Sequence, residues 1–148
     1  MQHPVTFEVS GPAVAKGRPR MTGKGVAYTP AKTRAYEAHV RLAAQQAMGA
    51  RSPFEGPVVV EVTAVLPVPK SWSRKKREDA LSGATRPVTR PDVDNYAKAA
   101  IDAVNEIVFR DDSQVTELVT RKLYGDRPRL EVKVTPWACG VLFAGRAG

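Results

Sequence analysis

Apolar and polar positions along this chain repeat with two different periods, and the changes of period mark out its elements. Val5 to Ser10 alternates residue by residue, which predicts a strand ended by Gly11-Pro12. From 31 to 49 the period lengthens. Tyr36, Val40, Ala43, Ala44 and Ala47 recur at helical spacing and Gly49 is a natural stop. Between Pro57 and Pro67 the run VVVEVTAVL is β-branched and almost wholly apolar, which predicts the strand at the centre of a sheet. Ser71 or Ser73 is placed to cap a short helix over Arg74 to Leu81. Pro91 disfavours helix at Arg90, so a further helix is expected to begin after it, capped by Asp92, Asp94 or Asn95. Tyr96, Ala97, Ala100, Ile101, Val104 and Val108 form its apolar face. Thr116 to Tyr124 and Arg129 to Val134 read as two strands of a hairpin, joined at Gly125-Asp126-Arg127-Pro128.

The order β, α, β, short α, α, β, β predicts a single domain over residues 1–148. Its class is α+β (or α/β), a mixed β-sheet with helices mainly on one face. After Pro136 the tail WACGVLFAGRAG has no clear period, and both core cover and a dimer contact stay open for it.

Charge narrows the function. The 148 residues carry a formal net charge of +8. No long apolar run and no basic amphipathic helix accompanies that charge, so nucleic acid is the expected partner and a membrane is not. Met1-Gln2-His3-Pro4 leads straight into the first strand, without a signal-peptide pattern. The single Cys139 forbids an internal disulfide and fits a reducing cytoplasm. One cysteine and two histidines, His3 and His39, do not make a thiolate or imidazole zinc site. His39 has no serine or cysteine partner by motif, so it reads as structural. Any metal here takes oxygen ligands, which points to Mg²⁺ with Mn²⁺ as substitute; no organic cofactor is expected.

The charge is also unevenly spread. Residues 1–91 hold 15 basic and 6 acidic side chains, whereas residues 92–148 hold 8 and 9. Asp92, Asp94, Asp102, Glu106, Asp111 and Asp112 gather in one stretch, PDVDNYAKAAIDAVNEIVFRDDSQV. An acidic knot in a basic protein would repel a polyanion unless a cation sat between them. Asp94, Lys98 and Asp102 fall on one polar stripe of the helix. Asp111 and Asp112 follow it in a turn. If the apolar run from Val115 pairs beside the helix start, the two acidic groups meet. The plainer readings are capping and turn formation for the aspartates and a surface pair for Asp94 and Lys98.

The pattern Pro-Asp-x-Asp-Asn, then Lys98, Asp102-Ala103 and Phe109-x-Asp111-Asp112-Ser113-Gln114-Val115, resembles the RusA-type Holliday junction resolvases, endodeoxyribonucleases common in phages and prophages. GPAVAKGRPRMTGKGVAYTP resembles members that open with a strand and a Lys-Gly-Arg-Pro-Arg loop, and the resemblance runs from about Val5 to Val134. It implies Asp92, Asp94 and Asp112 as metal-holding catalytic acids, with Asp111 the rival of Asp112. It also implies Lys98 as a lysine needed for cleavage, Mg²⁺ as cofactor, and a homodimer acting on four-way DNA junctions.

Two basic segments suit the phosphate backbone: Lys16, Arg18, Arg20 and Lys24 in a Gly- and Pro-rich arm, and Lys70, Arg74, Lys75, Lys76 and Arg77 around the short helix. Trp72 has two readings, stacking on an unpaired base or packing under that helix, and the second is favoured. The alternatives to a resolvase are a non-catalytic basic protein that binds branched or single-stranded nucleic acid and a less selective branch or flap nuclease.

Overall fold

The computed structural model describes residues 3–15, 20–21, 23–25, 27–28 and 31–137. Strand β1 spans Val5–Ser10, and a short antiparallel ribbon pairs β2 (Arg20–Met21) with β3 (Ala27–Tyr28). Helix α1 (Ala31–Met48) leads to β4 (Val58–Pro67), α2 (Arg74–Ser82) and α3 (Val93–Val104). A 3₁₀ turn at Asp112–Gln114 opens β5 (Val115–Gly125), and β6 (Arg129–Pro136) follows. The four long strands form one mixed sheet in the order β1-β6-β4-β5. The class is α+β, as the order of elements predicts.

β4 takes the centre because it is apolar on both sides. Val58, Val60, Val62 and Ala64 face the main core, and Val59 and Val65, on the other face, are 3% exposed each. A strand buried on both faces reads as a continuous apolar run. This placement overturns the expected hairpin. β5 and β6 do not pair with each other; β4 lies between them, parallel to β5 and antiparallel to β6. β5 carries Thr116, Glu117, Thr120, Arg121 and Lys122, so it tolerates the edge where β4 would not. The chain from Gly125 to Arg129 must therefore step over the end of β4. Gly125 makes that step possible, since a Cβ there would overlap Val65 Cγ1.

The core lies between the sheet and α1 with α3. Thr33, Tyr36, Val40, Ala44 and Met48 are the buried stripe of α1, close to the periodicity expected, with Ala43 and Ala47 packed beside it. Gly49 ends the helix at φ 56. α3 buries Tyr96, Ala97, Ala99, Ala100, Ala103 and Val104, and its small residues let it lie close to α1, where Arg41 donates to the Ala103 carbonyl at 3.3 Å. α3 ends at Val104, not at Val108: Asn105 leaves the helical region and Glu106 turns the chain at φ 70. The turn still buries Val108, and it sets Phe109 beside Phe54, both fully buried. The opposite face of the sheet is polar, with Glu8, Glu61, Arg121, Arg129 and Glu131 in ion pairs.

Gly125→Ala is expected to cost about 1–3 kcal/mol in denaturant unfolding, the range for overpacking. Gly23→Ala, in open space, is expected to stay within about 0.5 kcal/mol. Adding Val65→Ala to Gly125→Ala should cost less than the two single changes together, because the overlap is then gone.

Candidate functional site: two acidic stations on one helix and strand

The first station is the start of α3. Asp92 occupies the N-cap position in an extended conformation, yet its side chain makes no capping hydrogen bond. Asp94 sits in the first turn, and both carboxylates are exposed. Lys98 is exposed one turn further on. Among the described residues Asp92, Asp94 and Lys98 enter no ion pair, so neither plain reading, cap or surface pair, accounts for them. The free N–H groups at a helix start favour negative charge there.

Strand β5 holds this station down from below. Thr120 Oγ1 donates to the Val93 carbonyl at 3.2 Å. The Lys122 ammonium donates to the carbonyls of Thr89 at 2.8 Å and Pro91 at 3.1 Å. The Arg90–Pro91 peptide bond in this segment is cis. Neither Thr120 nor Lys122 stands out as a site residue in the sequence. The available signal is a lysine and a threonine on the inward-facing register of a strand whose partners Val62 and Ala64 are buried.

The second station is the turn into β5. Asp111 caps it: its Oδ2 accepts from the Ser113 N–H at 3.0 Å, while Gln114 Oε1 accepts from the Asp111 N–H at 2.9 Å and the Arg110 N–H at 2.8 Å. Gln114 Nε2 donates in turn to the carbonyls of Phe54 at 2.9 Å and Gly56 at 2.8 Å, splicing the turn to the approach of β4. Arg110 pairs with Glu55 at 2.9 Å. Hydrogen bonds from Ser113 hold the Asp111 carboxyl below its ordinary pKa. Asp111 is therefore committed to the turn, whereas Asp112 is exposed and enters no ion pair among the described residues.

The two stations stand apart within one chain. The run from Val115 does pair beside α3, but it begins at the far end of the helix. Twelve residues of α3 span about 18 Å. The five steps from Val115 to Thr120 cover about 17 Å of strand. Among the described residues no three His, Cys, Asp or Glu side chains gather closely enough to hold a metal ion.

The basic segments divide between structure and surface. Lys16 and Arg18 lie outside the described residues. Arg20 begins the β2 ribbon, and Lys24 sits exposed in its turn. On α2, Ser73 caps the helix by accepting from the Lys76 N–H at 3.3 Å, and Gly83 closes it at φ 88. Arg74 pairs with Glu78 at 3.2 Å and Lys75 with Asp79 at 3.1 Å, both on the solvent side. Arg77 donates to the Pro69 carbonyl at 3.4 Å, and Lys70 is exposed. Trp72 packs edge-on against Tyr124 with ring centres 5.2 Å apart, and the Lys76 ammonium lies 4.1 Å over its ring. The tryptophan thus anchors α2 to the end of β5, close to Lys122 and the first station. His3 and His39 are exposed.

The Asp111 cap has a pH signature. A carboxyl whose pKa is lowered by folding stabilises the folded state above its unfolded pKa, near 3.9, and that contribution disappears as pH falls through the lower folded value. Asp111→Asn keeps an oxygen for the Ser113 N–H, so neutral stability should hold while the loss of melting temperature below about pH 4 becomes shallower. Asp111→Ala should lower the melting temperature at pH 7 as well.

Comparison with known proteins agrees with the geometry. The family model Endodeoxyribonuclease RusA matches residues 10–135. The chain is 42% identical over 135 residues to Uncharacterized protein YqaN of Bacillus subtilis (strain 168), a match covering 88% of this chain and 94% of that protein. A family match that runs from the end of β1 almost to the end of β6, and so through both acidic stations, makes this chain a member of the RusA endodeoxyribonuclease family.

Proposed function

We propose that this endodeoxyribonuclease resolves four-way DNA junctions as a Mg²⁺-dependent, two-fold dimer. In this reading each active centre takes Asp92, Asp94 and Lys98 from one subunit and Asp112 of the partner subunit. The observation that carries the reading is the separation of the two stations along α3 and β5. One chain offers two of the three carboxylates at one place, and a second copy related by a two-fold axis supplies the other. A four-way junction has the same symmetry, and resolving it needs two opposed breaks.

The open edge of β5 favours such a pairing. Among the described residues β5 pairs with β4 alone, and Leu118 on its inner face is 46% exposed. Joining two β5 edges antiparallel about an axis near Leu118 carries the partner's Asp112 toward the Lys122 end of β5. Adjacent strands in that arrangement are about 4.8 Å apart.

The donor set fits a hard divalent cation, since Asp92, Asp94 and Asp112 are exposed carboxylates with no competing ion pair among the described residues. When bound, such an ion supplies an activated water and neutralises phosphate charge. Lys98 is placed to donate to the oxygens of the scissile phosphate as their charge grows. Lys70 ahead of α2, the exposed cations Arg74, Lys75 and Lys76 on it, and the arm from Lys16 to Lys24 lie along the DNA backbone and fix its path without reading bases.

The test is nicking of a synthetic four-way junction, a flap and a linear duplex, each with and without Mg²⁺. Preference for the junction supports the resolvase reading; equal cutting of all three leaves a less selective branch nuclease. Asp92→Asn, Asp94→Asn and Asp112→Asn are each expected to slow cutting by more than about a hundredfold, since even groups behind the ligands cost about 10–100-fold. Junction affinity should hold or rise, and Asp111→Asn should still cut. If Asp112→Asn cuts normally while Asp111→Asn does not, the two exchange roles.

Mixing Asp94→Asn and Asp112→Asn subunits tests the shared centre. Half of the dimers formed at random are mixed, and each mixed dimer has one intact centre, so nicking should return to about a quarter of the wild-type level. No recovery on mixing would place the whole centre within one chain.

A further inference from the structure

Lys122 is half-buried on the inner face of β5, and it donates to two backbone carbonyls of the segment that carries Asp92. With Thr120 it takes the carbonyls of residues 89, 91 and 93 in turn, as the chain bends into the start of α3. The Thr89 and Pro91 carbonyls lie before α3 and outside its hydrogen-bond ladder, so without Lys122 they would need water or another donor, and Thr120 adds a bond at the Val93 carbonyl in the first turn of the helix. An ammonium has three donors and no acceptor, which suits a site made of carbonyl oxygens alone. Asp92 lies between the anchored carbonyls, and its side chain is exposed.

We propose that Lys122 is the positioning residue of the catalytic centre. It fixes the backbone of residues 89–93 so that the Asp92 and Asp94 carboxylates stand ready for a divalent cation. The proposal rests on the metal-dependent reading above. It assigns Lys122 no contact with DNA or with the reacting phosphate, the role given to Lys98. Two carboxylates only two residues apart converge on one ion only if the backbone between them is held, and a site left loose by even 1 Å loses much of its function. Lys122 acts before the metal arrives, by removing freedom that binding would otherwise have to remove.

The experiment replaces Lys122 by Met, similar in length but without donors, and by Arg, which keeps them. Lys122→Met should raise the Mg²⁺ concentration for half-maximal cutting by about tenfold or more, the usual cost of losing a group behind a metal ligand. Mn²⁺ affinity without DNA, read from the electron paramagnetic resonance signal of free Mn²⁺, should fall in step. The rate at saturating Mg²⁺ should recover to within about threefold of wild type, because no catalytic group is removed. Junction affinity in EDTA should be unchanged, and amide exchange at residues 92–95 of the metal-free protein should speed up. Lys122→Arg should stay close to wild type in all of these.

Unchanged metal dependence and unchanged exchange in a folded Lys122→Met variant would overturn the proposal. So would lost junction affinity with normal metal dependence, which would make Lys122 a phosphate contact. If Lys122→Met does not fold, Thr120→Val decides: removing that single anchor should raise the half-maximal Mg²⁺ about two- to threefold, and no change would count against the proposal. Wild-type cutting without any divalent ion would sink the metal-dependent reading. Faster exchange at 92–95 in Lys122→Met would then still support the anchoring by itself.

Discussion

The burial of β4 on both faces is the constraint from which the rest of the architecture follows. A strand that hides Val58, Val60 and Val62 on one side and Val59 and Val65 on the other must have neighbours along both edges. β6 takes one edge and β5 the other, so the two strands that follow each other in sequence end up separated in space. That separation forces the step over Val65 at Gly125 and leaves β5, with its mixed polar character, as the outer strand. This outer strand carries the turn acids at its beginning, Thr120 in its middle, where it holds the start of α3, and Lys122 and Tyr124 near its end.

Helix α3 and strand β5 run side by side in opposite directions, and this antiparallel relation sets the two acidic stations at opposite ends. The helix start is exposed and acidic, anchored from beneath by uncharged carbonyl contacts. The helix end is closed by a turn whose own aspartate, Asp111, is taken up by the Ser113 N–H. A monomer therefore presents its two acidic stations at opposite ends of the same unit. In the proposed dimer the two-fold axis exchanges one end for the other and brings them together. The basic helix α2 flanks the first station, held to β5 through Trp72 and Tyr124. Among the described residues cationic surface and acidic station are adjacent without an ion pair between them: Arg74 and Lys75 pair with Glu78 and Asp79 of their own helix, the Lys76 ammonium lies over Trp72, and Arg77 donates to the Pro69 carbonyl.

Much of this was legible in the residues. The apolar run VVVEVTAVL named the central strand, the helical spacing of Tyr36, Val40 and Ala44 named α1, and Ser73 with Gly83 bounded α2. The order of Asp92, Asp94, Lys98 and Asp111-Asp112 was enough to identify the family. These features are local: each depends on side chains within a few positions of one another, where periodicity, capping and turn chemistry act. The early end of α3 at Val104 was not legible, because Val108 continues the apolar period and only the packing of Phe109 on Phe54 reveals the break.

By itself the sequence determined the elements, their class and the kind of chemistry, since acids and cations declare themselves by type and spacing. Tertiary structure alone decided which strands are neighbours, and that decision governs the site. The choice between a hairpin and an inserted β4 is made by competition for the most buried position, a property of the whole sheet and not of the turn between β5 and β6. The same long-range pairing set Asp112 at the far end from Asp92 and brought Lys122 under the carbonyls of the segment that carries the first acids, while Asp111 is engaged locally by the Ser113 N–H. Hydrogen bonds between residues 27 to 33 positions apart, such as Thr120 to Val93 and Lys122 to Thr89, leave no periodic mark along the chain.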